Sequence, residues 1–500
     1  KEELYPDGVT FTSVLMACGS IGAVYKGKQI HNEIINRDLL KENVVLGNAL
    51  VDMYVKFGML SKAREILEEL PAQNIISWNT LITGYVQYNQ GHEAMDCFAK
   101  VKQKGISPDG ITFAYILKAC GILGAINVGE ELHDEIVRRG FLKGNLVIGT
   151  ALVDMYAKCG MLTQAQQVLE ELQGRNVVSW NALISGYAQQ GQFHEALDCF
   201  ERMRSEGIFP NRVTFICILK ACGSVGAVVK GEEIHDEIMN MSFLENDNVI
   251  GTALVDMYAK CGVLKKAQEV FNELLPRRDV VSFNALIAGY ARHGLIDEAL
   301  DCLKKMKLEK KCVSPNALTF VSILKACGAI GSLEKGEKIH AEVEKRGLIE
   351  KSKALGPTLV DMYVNCSELR KAQEVFDRLQ VHDVISWSAL ISGYARHGLG
   401  HEALTCFRQM QSEGIHPDQI TYICVLKACC SIGDLHMGEE MHKEVLKLRL
   451  LGKNIVVGTA LVDMYAKCGV LGKAQEVFDK LIEKDVVSWN ALIVGYIQHG

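Results

Sequence analysis

The sequence predicts an all-α fold, a right-handed α-solenoid superhelix of stacked helix-turn-helix repeats, and three observations carry that prediction. Asn-Ala-Leu-Val-Asp-Met-Tyr at 48–54 returns as Thr-Ala-Leu-Val-Asp-Met-Tyr at 150–156, 252–258 and 459–465, with a weaker copy opening on Pro357, a period of about 102 residues. Trp78, Trp180, Trp387 and Trp489 keep the same period, with Phe283 in the remaining place. Each block then splits into units of typically 35, 36 and 31 residues, and each unit holds two stretches of helical periodicity. Self-similarity at fixed period marks a repeat array, in which units contact only their neighbours and chain length carries no domain count.

The intermediate unit is seen at 177–211. Trp180, Ala182, Leu183, Ile184 and Tyr187 fall close to helical spacing, and Gly191 supplies a helix stop. Ala196, Leu197, Phe200 and Met203 mark a second amphipathic helix, which Pro210 is expected to end. The long unit at 212–247 runs Thr-Phe-Ile-Cys-Ile-Leu-Lys-Ala-Cys-Gly and then Lys-Gly-Glu-Glu-Ile-His-Asp-Glu-Ile. The short unit at 248–279 carries Leu-Val-Asp-Met-Tyr-Ala-Lys-Cys-Gly and then Lys-Ala-Gln-Glu-Val-Phe. A lone hairpin cannot bury its apolar face, whereas stacked hairpins share a core. One helix per unit would line a long concave groove and the other would form the outer layer. Fourteen complete hairpins are expected from Gly8 to Asp485, with a partial one at either end; the stop at Gly500 reads as a fragment of a longer array.

The composition, 48% hydrophobic and 23% charged, is that of a folded protein, and no run of eighteen apolar residues is present to form a spanning helix. The opening Lys-Glu-Glu-Leu offers no leader, so a targeting segment is expected to be missing from the chain. A net charge of −6 argues against a surface coated in positive charge, though not against a basic stripe. Seventeen cysteines fall largely into periodic series: Cys18, Cys120, Cys222, Cys327 and Cys429 after Ala; Cys159, Cys261 and Cys468 before Gly; Cys97, Cys199, Cys302 and Cys406 in a third place. Cysteine recurring at equivalent helical sites reads as a small core hydrophobe in a reducing compartment.

Trp-x-x-Leu, Gly-Tyr, Ala-x-x-x-Phe and Pro in the intermediate unit resemble the tetratricopeptide repeat, a protein-binding module. The alternating lengths, with Val-Val-Ser-Trp-Asn-Ala-Leu-Ile and Leu-Val-Asp-Met-Tyr-Ala-Lys-Cys-Gly, more closely resemble the P, L and S motifs of plant pentatricopeptide-repeat (PPR) proteins of the PLS subclass, over essentially the whole chain. In that frame the L units are 8–43, 110–145, 212–247, 317–352 and 419–454. The S units are 44–74, 146–176, 248–279, 353–383 and 455–485, and the P units 75–109, 177–211, 280–316 and 384–418. Residues 1–7 would end a P unit and 486–500 begin one. The resemblance implies binding of single-stranded organellar RNA at one base per repeat. It further implies a role in C-to-U editing of transcripts in mitochondria or chloroplasts, with RNA stability or processing as the alternative.

In the family the base is read by the polar residue just after the repeat's Trp or Gly and by the repeat's last residue. A small Thr or Ser leaves room for a purine and a larger Asn suits a pyrimidine. A closing Asp only accepts, matching the N–H on the pairing edge of G or U, whereas a closing Asn also donates, matching A or C. Asn48 with Asn74 then favours C, Asn79 with Asp109 U, Thr150 with Asn176 A, and Asn181 with Asn211 C. Thr252 with Asp279 favours G, Asn284 with Asn316 C, and both Ser388 with Asp418 and Thr459 with Asp485 G. The L units place Ala114, Ile216, Val321 and Ile423 at the reading position, and apolar side chains there read nothing. Pro357 leaves its repeat unread. The implied target is 5′-CUNACNGCNNGNG-3′, with U tolerated for C.

Val45, Ile76, Val147, Val178, Val249, Val281, Ile385, Val456 and Val487 precede the reading residue by three. The family sandwiches bases between such residues; burial within the hairpin is the competing role. Lys56, Lys158, Lys260 and Lys467, with Arg292 and Arg396 in P units, follow the reading position by eight and are candidates for phosphate contact, against plain solvated helix ends. Asn365 breaks that series in the Pro357 repeat.

His-x-Glu occurs at His31, His133, His235, His340 and His442, half of a zinc deaminase signature whose other half is Pro-Cys-x-x-Cys. No Cys-x-x-Cys exists to complete a metal site. The copies recur in L units, and at roughly 10 Å per packed helix layer equivalent sites stand on the order of 30 Å apart. They read as ordinary helix surface. No phosphate-cradling loop or nucleophile elbow is present either, so no catalytic residue, metal or cofactor is expected in this chain. A deaminase domain, where such proteins have one, would follow the last repeat. Expected partners are single-stranded RNA and editing-factor proteins docking on L units, with no membrane and no small-molecule substrate. The rival is a protein-binding scaffold, mildly supported by the acidic balance; a scaffold gives no reason for polar reading positions alternating with apolar ones.

Overall fold

The computed structural model describes residues 6–40, 43–142, 144–241, 247–274, 278–309, 313–448, 450–451 and 454–499. Residues 1–5 and Gly500, which enter the partial-repeat readings, lie outside the described residues. The described residues form 29 α-helices and no strand. The chain divides into two compact units, residues 1–253 and 254–500. The first holds seven helical hairpins, from Gly8–Ile21 with Val24–Asn36 to Arg212–Val225 with Val228–Asn240. The second runs from Leu264–Glu273 to Val486–His499, and Asn248–Lys260 spans the division. Each is an α-solenoid of hairpins stacked in chain order.

The shortness of the S repeats comes from the second helix. In short repeats it has only nine or ten residues, as in Leu162–Glu171 and Leu471–Asp479, against thirteen in Phe193–Ser205 and Ile126–Arg138. The chain leaving the shortened helix turns extended at Leu172, whose side chain covers the face of Gly149 where a Cβ would otherwise stand.

Within each unit a first helix packs on its own second helix and on the next first helix, so Gly110–Leu123 meets Leu146–Lys158, which meets Val177–Gln189. The first helices therefore carry most of the core. Trp78, Trp180, Phe283 and Trp387 are fully buried, as are Leu152, Leu183 and Ile184. Each such side chain contributes about 1.5–3 kcal/mol of apolar burial, the large rings at the upper end. First helices approach closely at Gly186, where an added Cβ would lie 2.6 Å from Ala157 Cβ on the preceding first helix.

Two sequence expectations need correction. Pro210 does not end the helix before it: Phe193–Ser205 stops five residues earlier, where Gly207 takes the left-handed conformation (φ +74°) that a side chain would strain. The cysteine series are also not equivalent. Cys18, Cys120, Cys222, Cys327 and Cys429 are buried, as are Cys97, Cys199, Cys302 and Cys406, but Cys159, Cys261 and Cys468 are only half-buried. They sit where their first helices end, partly open to solvent.

Candidate nucleic-acid interface

The reading residue is the fifth residue of its first helix, and the closing residue is the N-cap of the next first helix. Helical geometry thus sets the two side by side although in P units they stand 30 to 32 positions apart along the chain. In P units they bond directly: Asn79 Nδ2 donates to Asp109 Oδ1 (2.9 Å), Asn181 Nδ2 to Asn211 Oδ1 (2.9 Å) and Asn284 Nδ2 to Asn316 Oδ1 (3.2 Å). Ser388 Oγ donates to Asp418 Oδ1 at 3.3 Å.

A threonine that the sequence reading passed over completes each site. Thr112 Oγ1 donates to Asn79 Oδ1 (2.7 Å), Thr214 Oγ1 to Asn181 Oδ1 (2.7 Å) and Thr319 Oγ1 to Asn284 Oδ1 (2.6 Å), while Thr421 Oγ1 lies 2.7 Å from Ser388 Oγ. All four threonines are fully buried and close a capping box with the closing residue. The polar signal at the third helical position was available in the sequence, but a capping box explains it without reference to the preceding unit.

This network fixes the amide orientations. Asn211 Oδ1 accepts the backbone N–H of Val213 and Thr214, so that atom is oxygen and Asn181 must offer it an NH2. Asp109 only accepts, so Asn79 does the same. Burial pushes the Asp109 carboxyl up, but donors from Thr112 and Asn79 outweigh it and hold the pKa below its ordinary value. All of these bonds converge on Oδ1. The other terminal atom, Oδ2 of Asp109 and Asp418 or Nδ2 of Asn211 and Asn316, is where acceptor and donor differ.

S units are built differently. Asn48 Oδ1 and Thr459 Oγ1 are buried without a hydrogen-bond partner. Their closing residues Asn74 and Asp485 cap the next helix through Ser77 and Ser488, whose hydroxyls donate to the caps' own carbonyls at 2.8 Å. Thr150 is half-buried, and Asn176 likewise caps through Ser179. Thr252 and Asp279 fall on either side of the division between the two units.

The aliphatic series is on the surface. Val45, Ile76, Val147, Val178, Val249, Val281, Ile385, Val456 and Val487 are 47–68% exposed, which removes the alternative of hairpin burial. The L units share the feature at Val9, Ile111, Val213, Leu318 and Ile420, which the sequence reading missed although the spacing is the same. At the L reading position Ala114 is buried, and Ile216, Val321 and Ile423 are half-buried.

The basic candidates carry company. Lys56, Lys158, Lys260 and Lys467 pair with Asp52, Asp154, Asp256 and Asp463 one turn earlier at 2.6–2.8 Å. Arg396 donates to Asn365 Oδ1 at 3.0 Å, and Arg292 is exposed. In the Pro357 repeat the helix Leu355–Asn365 starts late, from an N-cap without a side-chain bond, and Pro357 takes its third position, where a missing N–H costs least.

The His-x-Glu copies are not ordinary helix surface. Nδ1 of His31, His133, His340 and His442 lies 2.8–2.9 Å from the hydroxyl of Tyr54, Tyr156, Tyr363 and Tyr465 in the following repeat. The Glu two residues on turns to the preceding repeat: Glu135 meets Lys102 (2.9 Å), Glu237 Arg204 (3.8 Å) and Glu342 Lys307 (2.5 Å). The motifs of His133 with Glu135 and His340 with Glu342 thus staple an L unit to both neighbours, whereas Glu33 and Glu444 pair within their own unit, with Arg37 and Lys447. Among the described residues no cluster of three metal-binding side chains occurs.

Stacked hairpins with a paired polar site recurring at the first helices of P units define a modular helical-repeat protein. The family models described as "PPR repeat family" and "PPR repeat" match residues 73–121, 175–224, 278–329 and 382–431, and 48–75, 150–177, 252–275, 420–450 and 459–486. The chain belongs to the pentatricopeptide-repeat family. A chloroplastic pentatricopeptide repeat-containing protein of Arabidopsis thaliana is 36% identical over 91% of this chain and 73% of its own length. A mitochondrial relative from the same plant is 36% identical over 96% of this chain but 46% of its own length, so the chain spans about half of that protein. The crystal structure of the pentatricopeptide repeat protein PPR10 from maize superposes with a TM-score of 0.54 at 19% identity, covering 99% of this chain and 82% of that one. PPR10 in complex with an 18-nt psaJ RNA element gives 0.56 at 20% identity, covering 100% and 78%. These two likenesses concern the fold.

Proposed function

We propose that this chain binds single-stranded RNA sequence-specifically, one base per repeat, in a chloroplast or mitochondrion. The observation that carries the reading is the recurrent site itself. A closing Asp or Asn is fixed beside the fifth residue of a first helix, and the second residue of that helix is an exposed aliphatic side chain that offers a base an apolar face. The relatives' chloroplastic and mitochondrial names and the RNA held by PPR10 support it.

The finer reading is a specificity factor of PLS type for C-to-U editing, with target 5′-CUNACNGCNNGNG-3′ and L units receiving editing-factor proteins. The chain supplies recognition; the deamination chemistry belongs to a further domain or a partner. Filter binding against the target, a shuffled RNA and the corresponding DNA tests the proposal. Preference for the target RNA, weakening with salt, is expected; equal or absent binding would return the chain to the protein-scaffold reading.

A further inference from the structure

We infer that Thr112, Thr214, Thr319 and Thr421, the third residues of the L-unit first helices, are positioning residues that set base discrimination in the preceding P unit. The inference rests on the RNA-reading proposal and adds a third residue to each P site.

The chemistry constrains the single hydroxyl proton of each threonine. Its Oγ1 accepts the backbone N–H of the closing residue, at 3.2 Å from Asp109, 3.0 Å from Asn211, 3.1 Å from Asn316 and 3.3 Å from Asp418. The single hydroxyl proton therefore points away from that N–H, and at the Asn readers its shorter contact is the reading Oδ1, at 2.6–2.7 Å against 2.8–3.2 Å to the closing Oδ1. For an Asn reader this locks both ends of the amide: Oδ1 on threonine, one N–H on the closing residue. The amide plane cannot flip or swing, and one N–H remains to meet a base. Burial of Asn79, Asn181 and Asn284 to 6–8% exposure, beside a threonine wholly shielded from water, makes an unmet Oδ1 costly.

S units lack the device. Ser77, Ser179 and Ser488 occupy the same helical position, yet their hydroxyls turn back to the carbonyls of Asn74, Asn176 and Asp485 at 2.8–2.9 Å. The capping box is common to both junctions; the reach to the reader is confined to the P-to-L junction. L units thus act on sequence choice through the base before their own, although their own reading positions are apolar.

The test uses Thr214→Val and Ser179→Ala in the full chain, with RNAs varied at the nucleotides assigned to Asn181 with Asn211 and to Thr150 with Asn176. Both variants lose a capping hydroxyl, so circular dichroism melts compare their folding. Thr214→Val is expected to reduce the preference for C over A at the Asn181 nucleotide about fivefold, the scale of one hydrogen bond. Preference at the Thr150 nucleotide should stay as in wild type. Ser179→Ala should leave both preferences intact. A uniform loss of affinity in Thr214→Val with unchanged preference would overturn the inference, as would loss of preference at both nucleotides. A wild-type chain with no preference at the Asn181 nucleotide would instead overturn the reading proposal.

Discussion

His133 Nδ1 lies 2.9 Å from the Tyr156 hydroxyl, with the two rings edge to face at 5.6 Å, and this pair ties an L unit to the S unit after it. Burial lowers the pKa of His133, as it does for His31, His340 and His442, and raises that of Tyr156 to about 12. The folded state therefore holds the rings neutral. Their stabilising contribution is fully present above the ordinary histidine value near 6.5 and is lost as pH falls through the lower folded-state value. Melts followed by circular dichroism should move down between about pH 7.5 and about pH 5.5. The shift should be smaller in a His133→Gln, His442→Gln double variant; equal shifts would remove histidine as the cause.

Tyr156→Phe deletes the hydroxyl and leaves the half-buried His133 ring nitrogen without its partner, at a cost of about 1–3 kcal/mol. Hydrogen exchange should speed up in Ile126–Arg138 and Leu146–Lys158 and stay unchanged in distant hairpins, because repeats couple to nearest neighbours.

Gly186→Val places branched carbons where Gly186 already meets Ala157 across two first helices. Overpacking of this kind costs about 1–3 kcal/mol. A lowered urea midpoint is expected, with partial recovery when Ala157→Gly is added.

Thr150→Asn should move the preferred base at its nucleotide from A to a pyrimidine by about tenfold, read from equilibrium binding to RNAs varied at that position. An unchanged preference for A would show that the register of the proposed target is wrong.

Exposed i, i+4 pairs such as Lys158 with Asp154 are worth only about 0.3–0.5 kcal/mol, little enough for a phosphate to displace. Lys158→Gln should weaken RNA binding evenly across sequences and flatten the log–log salt slope by about 0.7, the value for one contact on a single strand. Asp154→Asn should strengthen binding. No change in slope would leave Lys158 as a helix-end residue.

The repeat period, the helical hairpins and the core faces were legible in the sequence because each is local or periodic. Trp180, Leu183, Ile184 and Tyr187 recur at helical spacing, and every one is buried. Family membership followed from the same regularity, since stretches such as Val-Val-Ser-Trp-Asn-Ala-Leu-Ile are specific. The helix stop misassigned to Pro210 shows the limit of local reading: Gly207 ends the helix first, through a left-handed backbone that proline cannot adopt.

The sequence by itself determined the architecture and the places of Asn181 and Asn211, because periodicity and repeat length are properties of the chain in one dimension. Only the tertiary structure decided what those places do to one another. Packing one hairpin on the next brought Thr214 to Asn181, His133 to Tyr156 and Glu135 to Lys102. It left Val178 in solvent. Contacts across repeats depend on the direction in which side chains leave neighbouring helices, and spacing along one chain does not encode that direction.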